Sequence, residues 1–363
     1  MNKKIPLHMA AVQLVRHGGL EALCYREDVP TPVAGNGEVL IKVAAAGINN
    51  TDINTRIGWY SKEVRDSTST GGETGFGLLD DEDAAWSDVP IAFPRIQGAD
   101  CCGVIVETGQ GVHPARVGER VIVRSMMHSV DSPPFECQTF GSECDGAFAQ
   151  YTKAPSVETH KVDCSWSDAE LASIPCAYST AENMLHRASV GPERILITGA
   201  SGGVGSAAVQ LAKRRGAHVT AVASVSKTDS LLAIGADEVI DRNTAVTDAF
   251  GTDQFDVVID LVAGPAWPSL LEVLKRGGRY AAAGAIAGPL VELDVRTLYL
   301  KDLTLIGCTF QENVVFENLV RYIERGEIRP VVAKTFPLSD IRKAQVEFLE
   351  KKFTGKLVLL PPA

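Results

Sequence analysis

The stretch TGASGGVGSAAVQLAKRRG (198–216) follows an apolar run, RILIT (194–198), and leads into a helical pattern. Gly199 and Gly202 permit a tight turn and close backbone approach, and Gly205 lets a helix pack on the preceding strand. The start of such a helix presents unpaired N–H groups, which suit an anionic pyrophosphate. A second apolar run, HVTAVA (218–223), follows at the right distance. The whole reads as a dinucleotide cradle, with Gly199, Ser201, Gly202, Gly203, Val204 and Gly205 as expected contacts. An NAD site places a carboxylate at the end of the second strand, on the ribose hydroxyls. Here that strand runs into Ser224 and then Lys227, with Arg242 after the third strand. A hydroxyl and two cations suit a 2′-phosphate, so NADPH is the expected cofactor. The plainer reading of Ser224 is a helix cap.

Two other stretches carry chemical groups. IQGADCCGVIVETGQGV (96–112) sets Cys101 and Cys102 beside Asp100 in a strand-like run, which raises the question of a metal. NNTDINTRIGWY (49–60) brings an amide, a hydroxyl, a carboxylate and a phenol together. A phenol donates a hydrogen bond or a proton at neutral pH.

The elements that must position these groups fall into two patterns. Roughly the first 160 residues are short β-rich runs bounded by glycine, including 37–47, 101–109 and 118–125. From about 165, helices alternate with apolar strands at 194–198, 218–223, 237–241, 255–262, 279–284 and 303–310, which indicates a doubly wound parallel sheet. Helices are expected over 167–188 with Ser167 or Asp168 as cap, over 265–275, 316–326 and 339–351, and a last strand over 355–361. Residues 61–92 interrupt the first part with a polar, glycine-rich segment that is acidic at Asp80 to Asp83. It reads as a solvated insertion or as a lid over a cleft. Were it to line a cleft, its acids would favour a small neutral substrate over a coenzyme A thioester.

Composition bounds the partners. The 363 residues suffice for two cores, and 45% hydrophobic with 22% charged residues is ordinary for a globular protein. A net charge of −10 without a basic run argues against nucleic acid or an anionic membrane. No apolar stretch reaches the roughly 18–20 residues of a membrane span. Eight scattered cysteines read as free thiols of a cytoplasmic protein.

The order of motifs resembles the medium-chain dehydrogenase/reductase superfamily. The resemblance rests on HGGLEALCYREDVPTPVAGNGEVLIKVAAAGIN, GVGSAAVQLAK, GADEVID, FDVVID, KRGGRYAAAG and TGKLVLL, and spans the chain except 61–92. It implies a GroES-like catalytic domain (1–165), a Rossmann domain (166–308), a return to the catalytic domain (309–363), and a homodimer through the Rossmann sheet edge at 303–310. Zinc members of the superfamily draw catalytic ligands from three positions that here read Asn49, Ala99 and Cys176. Two of the three carry no ligand atom of the usual kind, leaving Asp100 and Cys176 as an unconventional pair. Of the four-cysteine structural zinc lobe, only Cys137 and Cys144 remain, with His128 out of place. Cys101 and Cys102 then read as packing residues beyond the old ligand positions.

The segment 49–60 is similar to zinc-free quinone oxidoreductases and enoyl reductases of the superfamily. That similarity makes Tyr60 the expected proton donor and Thr51 a hydroxyl for substrate oxygen. It makes Asn49 a hydrogen-bonding group for the nicotinamide ribose or the substrate, and Asp52 an orienting group. It also places Thr180 against the nicotinamide, and Gly284, Ala285 and Ile286 along its carboxamide. The expected activity is zinc-independent hydride transfer from NADPH to an activated C=C or a quinone. The alternatives are an alcohol dehydrogenase or carbonyl reductase, and an NADPH-binding protein without catalysis.

Overall fold

Glycine-bounded apolar runs become strands throughout the chain. The computed structural model describes residues 4–77, 90–128, 133 and 135–363. Its first half contains β1 (His8–Leu14), β2 (Leu23–Pro30), β3 (Glu38–Gly47), α1 (Asn50–Ile57), β4 (Arg95–Ile96), β5 (Cys102–Thr108) and β6 (Arg120–Val123). There follow β7 (Met126–Met127), β8 (Gln138–Thr139), β9 (Tyr151–Pro155) and β10 (Thr159–Lys161). The chain continues as α2 (Asp168–Leu171), α3 (Pro175–Arg187), β11 (Arg194–Ile197), α4 (Gly203–Arg214), β12 (His218–Ala223), α5 (Thr228–Ala233), β13 (Glu238–Asp241), α6 (Val246–Phe250) and β14 (Phe255–Asp260). It ends with α7 (Trp267–Glu272), β15 (Leu274–Ala282), α8 (Val295–Leu300), β16 (Thr304–Gly307), α9 (Asn313–Glu324), β17 (Val332–Pro337), α10 (Ile341–Glu350) and β18 (Lys356–Leu360).

Two sheets organise these elements. The GroES-like sheet runs β10-β6-β5-β3-β18-β17, with β9 also paired to β3, so the last strands of the chain join β3, while β1 and β2 form a separate sheet with β4. The Rossmann sheet runs β13-β12-β11-β14-β15-β16, every pair parallel. The strand order reverses between β12 and β14, flanking β11, and ligands of such sheets bind at the carboxyl ends beside that reversal. β3 and α1 deliver residues 49–60 to the same place from the first sheet. Asn49 and Asp52 start α1, with the Asn49 N–H bonded to Asp52 Oδ2 at 2.8 Å. Gly58 ends it at φ 73°.

The expected helix over 167–188 is two helices. Ser167 caps α2, accepting from the Glu170 N–H at 3.3 Å while Glu170 accepts from the Ser167 N–H at 2.9 Å. Pro175 lacks an N–H and cannot bond back to the preceding turn, so a separate helix, α3, starts with it at the first position. β15 starts at Leu274 instead of 279, cutting the preceding helix to α7. α1 buries Ile53 and Ile57, one turn apart, in the core, and alongside them polar residues that include a fully buried Arg56. Of the 61–92 segment, 61–77 is folded as successive turns without regular elements. The acidic run Asp80 to Asp83 lies outside the described residues.

Candidate active site

The glycine loop connects β11 to α4. Gly199 adopts φ +58°, and a side chain at Gly205 would meet the Gly199 carbonyl at 2.3 Å. Glycine is therefore required at both positions for helix and loop to meet. The N-cap of α4, Gly202, offers no side-chain cap to the first N–H groups, which are left for a ligand. Ser201 accepts the Gly355 N–H at 3.1 Å, tying the loop to the segment that leads into β18.

Around the end of β12, Ser224 follows Ala223, whose carbonyl accepts the Arg242 N–H at 2.8 Å. The Ser224 and Ser226 hydroxyls lie 3.1 Å apart, and the Lys227 ammonium donates to the Lys352 carbonyl. A hydroxyl pair thus lies at the carboxyl end of this strand, with the Arg242 backbone beside it. On the other side of the reversal, Gly284, Ala285 and Ile286 form the turn after β15, held by a 2.9 Å bond from the Ala287 N–H to the Val262 carbonyl. Asp260 shapes this side. Its carboxylate accepts from the Thr198 and Tyr280 hydroxyls at 2.5 Å each and from the Val262 and Ala263 N–H groups at 2.9 and 3.1 Å.

Between the two halves lies a buried polar cluster. The Lys356 ammonium is 2.8 Å from Asp100 Oδ2, with the two side chains only 4% and 0% exposed. Lys356 also donates to Asn49 Oδ1, and Asn49 Nδ2 donates to Asp100 Oδ2 at 2.8 Å. Asp100 Oδ1 accepts the Cys176 N–H at 2.6 Å. Both carboxylate oxygens and the Asn49 amide are thus engaged. The stem of Lys356 lies against Gly203, where any added side chain would meet its Cδ at 2.7 Å. Asp52 sits beneath, accepting the Gly98 and Ala99 N–H groups at 3.2 and 3.4 Å. Burial pushes its pKa up to about 7, and the nearby Asp100 charge adds to this.

Tyr60 and Thr51 meet, the phenol donating to Thr51 Oγ1 at 3.2 Å. Burial holds the Tyr60 pKa up at about 12. The Cys176 thiol is likewise raised, by burial and then by Asp100. Thr180, one turn along α3, donates its hydroxyl to the Cys176 carbonyl at 2.7 Å. Cys101 and Cys102 are fully buried in two different cores, as packing residues. Among the described residues no group of three or more His, Cys, Asp or Glu side chains is arranged to hold a metal ion. Also among them, no helix is long and apolar enough to cross a membrane.

The structure joins Asn49 to Asp100 and Lys356, and Tyr60 to Thr51; Lys356, at the centre of the cluster, was not among the residues expected from the sequence. Its only signal was a lysine at the start of an otherwise apolar strand.

Comparison with known proteins agrees with this geometry. Residues 35–163 match the alcohol dehydrogenase GroES-like domain, and residues 203–325 match the zinc-binding dehydrogenase family. The acryloyl-coenzyme A reductase of Metallosphaera sedula is 30% identical over 92% of this chain and 95% of its own length. The chain belongs to the medium-chain dehydrogenase/reductase superfamily. Human quinone oxidoreductase is 26% identical over 97% of this chain and 98% of its own. Among solved structures, a Sinorhizobium meliloti 1021 protein provisionally described as an alcohol dehydrogenase is 44% identical, with a TM-score of 0.88 over 99% of this chain and 98% of its own. A cobalt- and zinc-bound thermostable alcohol dehydrogenase of Pyrobaculum aerophilum is 30% identical, with a TM-score of 0.82 over 98% of this chain and 100% of its own. Membership makes this protein a pyridine-nucleotide oxidoreductase with a GroES-like and a Rossmann fold.

Proposed function

We propose that this oxidoreductase uses NADPH to reduce an activated C=C or a quinone without a metal ion. The observation that carries the reading is the buried cluster at the superfamily's zinc position. Asn49 and Ala99 stand at two of the three ligand positions, and the nearby carboxylate, Asp100, is paired with an ammonium instead. A zinc ion normally takes at least three protein ligands, and this donor set does not supply them.

The residues fit the dinucleotide. The uncapped start of α4, with Gly199 to Gly205, suits the pyrophosphate. Ser224, Lys227 and Arg242 suit the 2′-phosphate. Thr180 and the turn Gly284, Ala285 and Ile286 suit the nicotinamide. When bound, the cofactor supplies the hydride. Tyr60 Oη holds a proton across the neutral range and is the donor to the substrate oxygen or carbon. Thr51 orients that phenol and offers its own hydroxyl to the same oxygen. Asn49 keeps Lys356 against Asp100, so its part is to position the cluster.

The return of the chain to the domain of residues 1–165 is supported by β17 and β18 lying in the sheet with β3, while Phe316, Leu319 and Ile323 of α9 pack into the core of the Rossmann strands, which favours a boundary after α9 over one at 309. A homodimer through the β16 edge is supported by exposed apolar side chains around that open strand: Leu290, Val291, Val295, Tyr299, Leu300 and Leu305. These readings also fit a cytoplasmic protein of small-molecule metabolism.

The test of function is oxidation of NADPH and NADH against quinones, enones, enoyl thioesters and aldehydes. Turnover of quinones or conjugated alkenes with NADPH preferred is expected. Turnover of aldehydes alone would overturn the reading in favour of a carbonyl reductase.

A further inference from the structure

The 61–77 segment crosses from one half of the molecule to the other. On the GroES-like side it is pinned by Arg56, which is fully buried and donates to the Gly72 and Gly18 carbonyls at 2.5 and 2.9 Å and to Gln345 Oε1 at 2.8 Å. The Leu20 N–H adds a 3.0 Å bond to the Glu73 carbonyl, and Trp59 Nε1 donates to the Asp66 carbonyl at 3.0 Å. On the Rossmann side the Thr68 N–H donates to the Ile286 carbonyl at 3.2 Å. The segment is therefore a fixed strap over the turn that follows β15.

Four hydroxyls sit in its middle. Those of half-buried Ser67 and exposed Ser69 and Thr70 are paired, Ser67 with Ser69 at 2.8 Å and with Thr70 at 3.1 Å. Thr68 differs on both counts. It is 3% exposed, and its Oγ1 has no hydrogen-bond partner. Buried hydroxyls are almost always partnered, and an exception calls for an explanation. Its location supplies one. The glycine loop backs onto Val262, Val262 holds Ala287, and Ile286 beside it holds Thr68. This line runs along the carboxyl ends of β14 and β15, away from the Ser224 and Lys227 end. A dinucleotide laid across the strand reversal has its pyrophosphate at α4 and its adenosine beyond β12. Its nicotinamide half then falls on the side of Thr68. A carboxamide carries both donor and acceptor, and a hydroxyl answers either.

We infer that the Thr68 hydroxyl is a binding group for the nicotinamide carboxamide, supplied by a strap that lies outside the superfamily motifs of this chain. The inference rests on the dinucleotide reading above and is independent of which substrate accepts the hydride.

Thr68→Val keeps the branched shape and removes the hydroxyl, and Thr68→Ser keeps the hydroxyl. NADPH and 2′-phospho-ADP-ribose, which lacks nicotinamide, are titrated against each by calorimetry. One lost hydrogen bond should weaken NADPH binding to Thr68→Val about five- to tenfold. Binding of 2′-phospho-ADP-ribose should be unchanged, and Thr68→Ser should bind both like the wild type. Unchanged NADPH affinity in Thr68→Val, or equal loss for both ligands, overturns the inference. Failure of the wild type to bind either ligand overturns the dinucleotide reading and the inference together, a result distinct from selective failure at Thr68.

Discussion

Replacing Lys356 by methionine removes one member of a buried ion pair and keeps most of the volume of its stem. Removing one partner of such a pair typically costs about 3–5 kcal/mol, because the other charge stays buried and uncompensated. Asp100 would retain the Asn49 amide at 2.8 Å and the Cys176 N–H at 2.6 Å. The expected loss at pH 8 is therefore at the lower end, about 3 kcal/mol. Its pH dependence has a definite sign. Without the ammonium, Asp100 and Asp52 share a more negative pocket, and Asp52 is already pushed up to about 7. A carboxylate raised above its unfolded value binds more protons folded than unfolded, so stability falls as pH rises from about 4 to about 7 and stays low above. The loss should accordingly be smaller at pH 5 than at pH 8. The double variant Lys356→Met with Asp100→Asn should recover at least half of it. Urea unfolding followed by tryptophan fluorescence at both pH values measures each quantity. A loss under about 1 kcal/mol at pH 8, the range of an exposed pair, would refute the reasoning. So would a loss that does not shrink at pH 5.

Tyr60→Phe should lower kcat about 100-fold while leaving NADPH binding intact, and a smaller change would remove Tyr60 as proton donor. Because its pKa is held up at about 12, wild-type rates should show no alkaline loss from this group between pH 6 and 9. Lys227→Ala should weaken NADPH at least about tenfold more than NADH, and equal weakening would refute the phosphate assignment. Leu305→Glu on the β16 edge should halve the sedimenting mass if two copies pair there. An unchanged mass would place the interface elsewhere.

Much of this architecture was legible in the chain because it depends on local signals. The Rossmann strands announce themselves as apolar runs separated by helices, and Gly199 and Gly205 stand where backbone atoms must approach closely. The break between α2 and α3 was also written at Pro175, although the periodicity on either side conceals it. The site was legible in part. Tyr60 and Thr51 are nine residues apart on one helix and its following turn, so their meeting follows from local geometry. Lys356 and Asp100 lie in distant parts of the sequence and meet only because β18 returns to β3. No pattern near Lys356 distinguishes it from a solvated lysine. Arg56 and Thr68 were hidden for a related reason. Their burial is created by the strap, whose turns carry no periodicity and whose anchors are backbone carbonyls, which every residue possesses.

If the Asp100 and Lys356 pair replaces a metal, as proposed, turnover needs none. The most direct measurement is the metal content of active enzyme by mass spectrometry, with NADPH-dependent reduction of quinones and enones assayed before and after exhaustive chelation. Less than stoichiometric zinc and unchanged turnover are expected. Activity that disappears with chelation and returns with added zinc would contradict the proposal.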